Sequence, residues 1–414
     1  MKVVYFDYWT GGIHNFKAID ESLKSLNHQT MLLHIGSMRF PHPAEEDIEG
    51  IHCRDISYYK TKFIYHALKK IQPEVVVTLN TTYIMDRALI LACRRLSIKT
   101  VFMMHGIKPT GKALNQAIGS MEGRMNSLTA KLKKGGKYFS NIIPNYVRSV
   151  IAYKPLYAFK FTVLTTLLHT FSNPAKAMYF PNNRAEIIQD KCCIYAKKYF
   201  EYYRQLGYEE EQIKVVGNPN LDSLFEAINK NKFSINILPK EVQRLVENNQ
   251  KYAVFLEDGF PAQGMGGWNY INLKEHLVEL ANKLQDNQTK LVVKLHPSSS
   301  ISDLGLNHSN ALVYKKTDLN TLVHYSNFCI GNISTTMNLP ILMYKPIIVP
   351  RYNELTRSIA DYFVGNEVAN PLNSLEDKLD LNINDQARAL YKENNISVLD
   401  SIAQQNIISV ITAG

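Results

Sequence analysis

The sequence predicts an α/β protein made of two doubly wound parallel-sheet domains facing a central cleft. Three observations carry that expectation. The chain has 414 residues, more than one compact core of ordinary size, so two domains of roughly 150–200 residues are expected. Short apolar, β-branched runs alternate with helix-period stretches in both halves. The runs are continuous, without polar residues at every second position, as in strands covered on both faces.

The elements follow in order. Residues 2–8 (KVVYFDY) read as a buried strand, followed by Gly11-Gly12 and a helix to about Leu26. Strands are expected at 31–35, 74–79 (EVVVTL) and 99–104 (KTVFMM), with helices over 62–71 and 83–96 between them. The segment 214–216 is extended and leads through Gly217-Asn218-Pro219-Asn220 into a helix from Leu221. The second half repeats the alternation, with strands at 252–256, 290–295, 311–314, 328–330 and 346–349. Its helices fall at 240–247, 272–284, 319–326, 338–343 and 353–363. The boundary is placed at Asp222, giving a first domain over 1–222 and a second over 223–394. A last helix, within 395–414, has no strand to follow it.

Composition narrows the function classes. With 45% hydrophobic and 20% charged residues, the chain is a folded protein and not a disordered one. Five cysteines without a CxxC pair argue against a disulfide scaffold or zinc ribbon and favour the reducing cytoplasm. The N-terminus reads as a strand rather than a signal peptide, and no window is apolar enough for a membrane span.

The formal charge is +10, and most of it is local. No Asp or Glu occurs from Gly123 to Ala185; within 121–180, nine basic residues face Glu122 alone, a net of +8. Lys131, Lys133, Lys134, Lys137, Arg148, Lys154 and Lys160 are interleaved there with aromatic and aliphatic residues. Read as one basic amphipathic segment over 123–185, this suits an anionic membrane surface, with Lys154 and Lys160 snorkelling from a helix over 149–171 that is apolar around much of its circumference. An acidic substrate is the second reading, and nucleic acid is disfavoured. A peripheral protein on the inner face of the membrane is the expected location.

In open parallel sheets ligands gather beyond the carboxyl ends of the strands, so the residues there carry the functional argument. The run 290–295 leads into His296-Pro297, where an imidazole can hold a phosphate oxygen or a sugar hydroxyl. The run 328–330 ends in Gly331-Asn332-Ile333-Ser334-Thr335-Thr336, and an apolar helix follows through Asn338. Hydroxyls and free backbone N–H groups opening a helix form an anion site suited to phosphate.

Together, His296-Pro297 and Ser334-Thr335-Thr336 resemble the donor motifs of GT-B glycosyltransferases that use CMP-activated sugars, the bacterial sialyl-, polysialyl-, nonulosonic-acid and Kdo transferases. The resemblance implies two Rossmann-like domains, a CMP-sugar donor and an oligosaccharide or lipid-linked glycan acceptor in capsule or lipopolysaccharide assembly. It implies that His296, Ser334, Thr335 and Thr336 contact the nucleotide phosphate. The segment Gly217-Asn218 is similar to the one that joins the lobes in this fold and is expected on the donor side.

Glu257-Asp258-Gly259 resembles an acidic motif of bacterial sialyltransferases but lies in the second half, so Asp258 and Gly259 are read as donor-side contacts. Glu257 is kept as a third candidate base. The leading bases are His105, in a His-Gly pair similar to one in teichoic acid polymerases, and His14, in a Gly11-Gly12 loop like that of plant-type inverting enzymes. Either imidazole titrates near pH ~6.5 when unperturbed. Asn80 ends a strand on the same side without an assigned role.

No Asp-x-Asp occurs and no His, Cys, Asp or Glu set has metal-ligand spacing, so neither a metal nor a cofactor is expected. Three alternatives stand beside this reading: a CDP-glycerol-type teichoic acid transferase, a nucleotide-sugar 2-epimerase and a non-enzymatic basic binding module.

Overall fold

A computed structural model describes residues 1–106, 138–154, 156–263, 267–306, 311–357 and 361–413. The chain divides into two units, Met1–Asp222 with Asn395–Gly414, and Ser223–Asn394. Lys131, Lys133, Lys134 and Lys137 lie outside the described residues.

Among the described residues the first unit holds eight strands: β1 (Lys2–Asp7), β2 (Gln29–His34), β3 (Glu45–Ile48), β4 (Ile51–Asp55), β5 (Val75–Thr78), β6 (Lys99–Met103), β7 (Lys191–Ile194) and β8 (Ile213–Val215). Their order is β3-β4-β2-β1-β5-β6-β7-β8, and every pair is parallel except the edge hairpin β3/β4. Glu49 and Gly50 turn that hairpin, both at positive φ, the backbone of a tight two-residue turn. In β1, Val4 and Phe6 enter one core while Val3 and Tyr5 enter the other. Burial on both faces explains why the strand has no polar period.

The helix Ala403–Thr412 returns to this first sheet. It buries Ile407, Ile408 and Ile411 in the core that holds Val3, Tyr5, Val77 and Val101. Asp222 caps it, accepting from the backbone N–H of Ala403 (3.1 Å) and Gln404 (2.8 Å).

The second unit is a six-stranded, wholly parallel sheet. Its strands are β9 (Lys251–Leu256), β10 (Thr289–Lys294), β11 (Ala311–Tyr314), β12 (Phe328–Gly331), β13 (Ile347–Pro350) and β14 (Asn370–Leu372). They run in the order β11-β10-β9-β12-β13-β14. The carboxyl ends of β9, β10 and β12 are therefore neighbours.

One sequence expectation is corrected here. The stretch 149–171 is not a single interfacial helix but parts of two, Ile143–Tyr153 and Leu156–Ser172. Lys154 between them is extended (φ −110°, ψ 152°), as the residue before a proline should be. The first helix belongs to the core: Tyr146 and Val150 are buried among Met85, Ala88 and Leu89. Its Asn145 accepts from the backbone N–H of Ile64 at 2.7 Å. Lys154 pairs with buried Glu186 at 3.3 Å and so is not a free membrane contact. Arg148, exposed, donates to His66 at 3.2 Å. Lys160 is exposed.

Candidate functional site

In the second unit β10 delivers His296 half-buried. Its backbone N–H donates to Glu257 Oε2 at 2.8 Å, and the N–H of Gly259 donates to Glu257 Oε1 at 2.6 Å. Both carboxylate oxygens of the buried Glu257 thus hold backbone, which corrects its reading as a base: it ties the end of β9 to the His-Pro turn. Ser298 donates its backbone N–H to His296 Nδ1 at 3.1 Å, with its hydroxyl 2.7 Å from the same atom. A ring nitrogen that accepts cannot carry the proton, so a neutral His296 bears it on Nε2. Pro297 is exposed beside it.

Past β12, Ser334 caps a short 3-10 turn, Thr335–Met337, accepting from the Thr336 backbone N–H (3.3 Å) and hydroxyl (2.8 Å). Ser334, Thr335 and Thr336 are all half-buried. The helix that follows is only Asn338–Leu342, so little dipole stands behind these groups, and the donors are the hydroxyls and backbone N–H groups themselves. Gly331 is required at this strand end, since a Cβ would meet Met337 Sδ at 2.7 Å and the Leu256 carbonyl at 3.2 Å. Asn338 is corrected from a donor contact to a structural residue: it is 7% exposed and accepts from the Tyr391 hydroxyl at 3.0 Å.

Between these two strand ends lies Asp258. Burial, reinforced by the Glu257 charge, pushes its carboxyl up to about 7, against the opposing pull of the Asn332 side chain and the Asn332 and Ile333 backbone N–H groups. The native protein therefore keeps a proton that the unfolded chain releases near the ordinary value of 3.8. The resulting stability is complete below that value and is lost as pH rises through about 7. Asp258→Asn keeps the shape and removes the charge. Its unfolding temperature, relative to the parent protein, is expected to rise between pH 5 and pH 8; a difference that stays constant would contradict the buried proton.

In the first unit the carboxyl edge collects Asp7, Asn80 and His105. His105 follows β6 half-buried, with Gly106 exposed at φ +65°. Asn80 is half-buried after β5, and its carbonyl accepts from Gln189 at 3.4 Å. His14 stands exposed in the first turn of the helix Ile13–Ser25, its Nδ1 3.1 Å from the Gly11 carbonyl. Gly11 lies under the indole of Trp9, where a Cβ would come within 2.7 Å of the ring, and Gly12 faces the Asp7 carboxyl.

Two residues here were not anticipated. Asp7 is buried at the end of β1, and burial raises its pKa. Trp9 is 64% exposed on the glycine loop, an apolar ring face of the kind that receives a sugar. An acidic residue ending a buried run is a readable signal for the first; nothing in sequence distinguishes the second from a core tryptophan.

Gly217 and Asn218 belong to the first unit. Gly217 (φ +89°) is buried under Val398 and Ala403, and a Cβ would meet Val398 at 2.8 Å. Asn218 caps the turn Pro219–Leu221 by accepting from Asn220 at 3.1 Å. A polar hollow of about 600 Å³ lies at the amino ends of β9 and β10, lined by Gln250, Lys251, Gln288 and Thr289. It is at the opposite edge of the sheet from His296.

No family model matches the chain, and no curated protein matches it. Solved structures do. The wall teichoic acid polymerase TagF aligns with a TM-score of 0.52 at 14% identity, over 99% of this chain and 88% of that one. The glycosyltransferase SnogD from Streptomyces nogalater aligns at 0.51 and 13%, over 100% and 99%. The Methanocaldococcus jannaschii UDP-GlcNAc 2-epimerase, solved with UDP-GlcNAc and UDP, aligns at 0.50 and 12% over the whole of both chains. The chain therefore has the GT-B fold, two parallel-sheet Rossmann-like domains, which glycosyltransferases share with nucleotide-sugar epimerases.

Proposed function

We propose that this chain is a glycosyltransferase that moves a sugar, of the nonulosonic-acid or Kdo type, from a CMP-activated donor to a capsule or lipopolysaccharide acceptor. The observation that carries the reading is the carboxyl edge of the second sheet. There His296 and the hydroxyls of Ser334 and Thr335 stand just past β10 and β12, the strands that flank β9, while Thr336 donates its own hydroxyl to Ser334 Oγ. Donors of this kind suit a nucleotide phosphate whose charge grows as it leaves. In the transfer, the acceptor hydroxyl gives its proton to His105 and its oxygen bonds the anomeric carbon. The bond from that carbon to the phosphate oxygen breaks, and CMP leaves with the electron pair. Exposed Trp9 offers the acceptor sugar a face to stack on.

A thermal-shift panel of CMP, CDP, UMP, UDP and GDP tests the donor, because a ligand of the native state raises stability by mass action. CMP is expected to stabilise the protein. Stabilisation by UDP without CMP would overturn the assignment, and turnover of UDP-GlcNAc without acceptor would favour an epimerase. Against the epimerase stands the absence of any acidic residue from Gly331 to Met343. His296→Ala should weaken nucleotide binding tenfold or more by calorimetry, the loss of about 1.5–3 kcal/mol for a charge-assisted hydrogen bond.

In this reading the acceptor is met at an anionic membrane surface. Among the described residues no helix is long and apolar enough to cross a membrane. The helix Leu156–Ser172, however, exposes Phe161 (73%), Leu164 (56%), Leu168 (60%) and Phe171 (40%). Their spacing puts them on one stripe, while Val163 and Leu167 pack inward. This stripe lies within the stretch 121–180 of net +8, which fits anionic lipid at about 1 kcal/mol per basic residue. Changing Phe161, Leu164 and Leu168 to Ser, or Lys131, Lys133, Lys134 and Lys137 to Gln, should each abolish co-sedimentation with anionic vesicles and spare activity on a short soluble acceptor. Raised salt should mimic the lysine changes. Undiminished sedimentation of both variants would exclude this surface; lost activity with retained sedimentation would reassign the lysines to the substrate.

A further inference from the structure

We propose that the first unit holds a divalent transition-metal site, of the zinc-binding type, formed by His34, His42 and Glu46. His34 ends β2, His42 lies in the loop that follows, and Glu46 is in β3. No spacing rule joins them in sequence. Folded, each offers one ligand atom, and the three atoms lie within 4.8 Å of one another.

Four further observations point to a cation here. His34 Nε2, His42 Nδ1 and Glu46 Oε1 are buried polar atoms without a hydrogen bond, an arrangement that is costly without a ligand. His42 Nδ1 and Glu46 Oε1 are 3.5 Å apart, close to the edge of about 3.3 Å that a tetrahedron with bonds of ~2.0–2.1 Å would have. The two imidazoles are held 4.6 Å apart, centre to centre. Gly36 makes that approach possible, since a Cβ there would meet His42 Cδ2 at 2.7 Å and His34 Nδ1 at 3.2 Å.

The surroundings of His34 have the form of an outer shell. Its Nδ1 accepts the backbone N–H of Gly36 at 3.2 Å and lies 3.3 Å from Asp55 Oδ2. Asp55 is buried and held by the backbone N–H groups of Ser37 and Ser57, each at 2.9 Å. A metal-binding histidine commonly turns one ring nitrogen to the metal and the other to a fixed carboxylate. Two imidazoles and one carboxylate match zinc and its first-row neighbours and suit magnesium or calcium poorly. His42 and Glu46 are 21% and 30% exposed in their side chains, so the ion can enter from solvent. Bound there, it would fasten the loop after β2 to the sheet. These residues belong to the first unit, whereas the proposed phosphate contacts belong to the second, so the donor assignment neither requires nor excludes the ion.

The test uses the full chain, stripped with chelator and titrated with ZnCl2. One equivalent should bind by calorimetry and raise the unfolding temperature, while MgCl2 should not. CoCl2 should give the visible bands of a low-coordinate Co2+ site. Since His34 is buried and its removal can disturb folding, the variants are His42→Ala and Glu46→Gln, each expected to weaken zinc binding at least tenfold. Asp55→Asn should weaken it about 10–100-fold. A nearby surface group, His52 with Glu45 and Asp47 (2.7 and 2.9 Å), supplies the control: His52→Ala should leave the zinc response intact. Absence of stoichiometric binding, unchanged binding in His42→Ala and Glu46→Gln, or its loss in His52→Ala would each overturn the proposal.

Discussion

Replacing His105 with Ala is expected to lower transfer by about 10²–10⁴-fold, the usual contribution of a positioned base, while nucleotide affinity stays within twofold. The side chain follows the interior strand β6 of the first sheet and is half-buried, with Gly106 in the left-handed region behind it. The proposed nucleotide contacts are on the other unit, which is why binding and turnover should separate. His14→Ala is the comparison, since that imidazole is exposed on the first turn of a helix and its Nδ1 faces the Gly11 carbonyl. Loss confined to His14→Ala would transfer the role to that residue. Equal, modest losses from both would mean that they orient the acceptor and that the proton goes elsewhere.

Glu186→Ala should be the most damaging change to stability. Its carboxylate is fully buried and accepts from Arg87 (3.2 Å), from the Tyr146 hydroxyl (2.6 Å) and from Lys154 (3.3 Å). Arg87 is itself 2% exposed. Removing one partner of a buried ion pair leaves the other charge uncompensated, a loss of about 3–5 kcal/mol. For a unit of this size that corresponds to a fall in unfolding temperature on the order of 10 °C. The double change Arg87→Met with Glu186→Leu should recover much of it, because apolar replacement of a buried pair is often nearly neutral. Lys154→Gln, at a partly exposed position, should cost under about 1 kcal/mol. A loss below ~1 kcal/mol in Glu186→Ala would show that the pair is not buried as described. The same experiment separates the two helices after residue 142, since Tyr146 on the first and Lys154 just after it serve this core while the stripe on the second faces outward.

Much of the fold was legible because its signal is local. Strands β1, β5, β6, β9, β10, β12 and β13 are continuous apolar runs, and sheets buried on both faces require such runs. The strands that escaped notice each lack that signal for a physical reason. β3 (EEDI) is an edge strand with its side chains largely toward solvent, β4 (IHCRD) alternates buried residues with His52 and Arg54, and β7 (KCCI) uses buried thiols in place of β-branched residues. β14 contains a proline, tolerated where it is at the edge of the sheet. The single long helix expected around Lys154 failed because apolar composition does not say which partner covers the apolar face. Tyr146 and Val150 proved to be covered by protein, and Phe161 and Leu164 did not.

By itself, then, the sequence determined that this protein is α/β with two parallel sheets, that His296 and Ser334–Thr336 end strands, and that positive charge gathers in one acid-free stretch. Those properties depend on residue type and near neighbours along the chain. Tertiary structure alone decided what each polar group does, because a side chain's role depends on partners far away in sequence. Glu257 became a brace when the amide of residue 296 reached it, and Lys154 became part of a buried network through Glu186. His34, His42 and Glu46 became neighbours only when the end of β2 and the hairpin beside it folded together around Gly36.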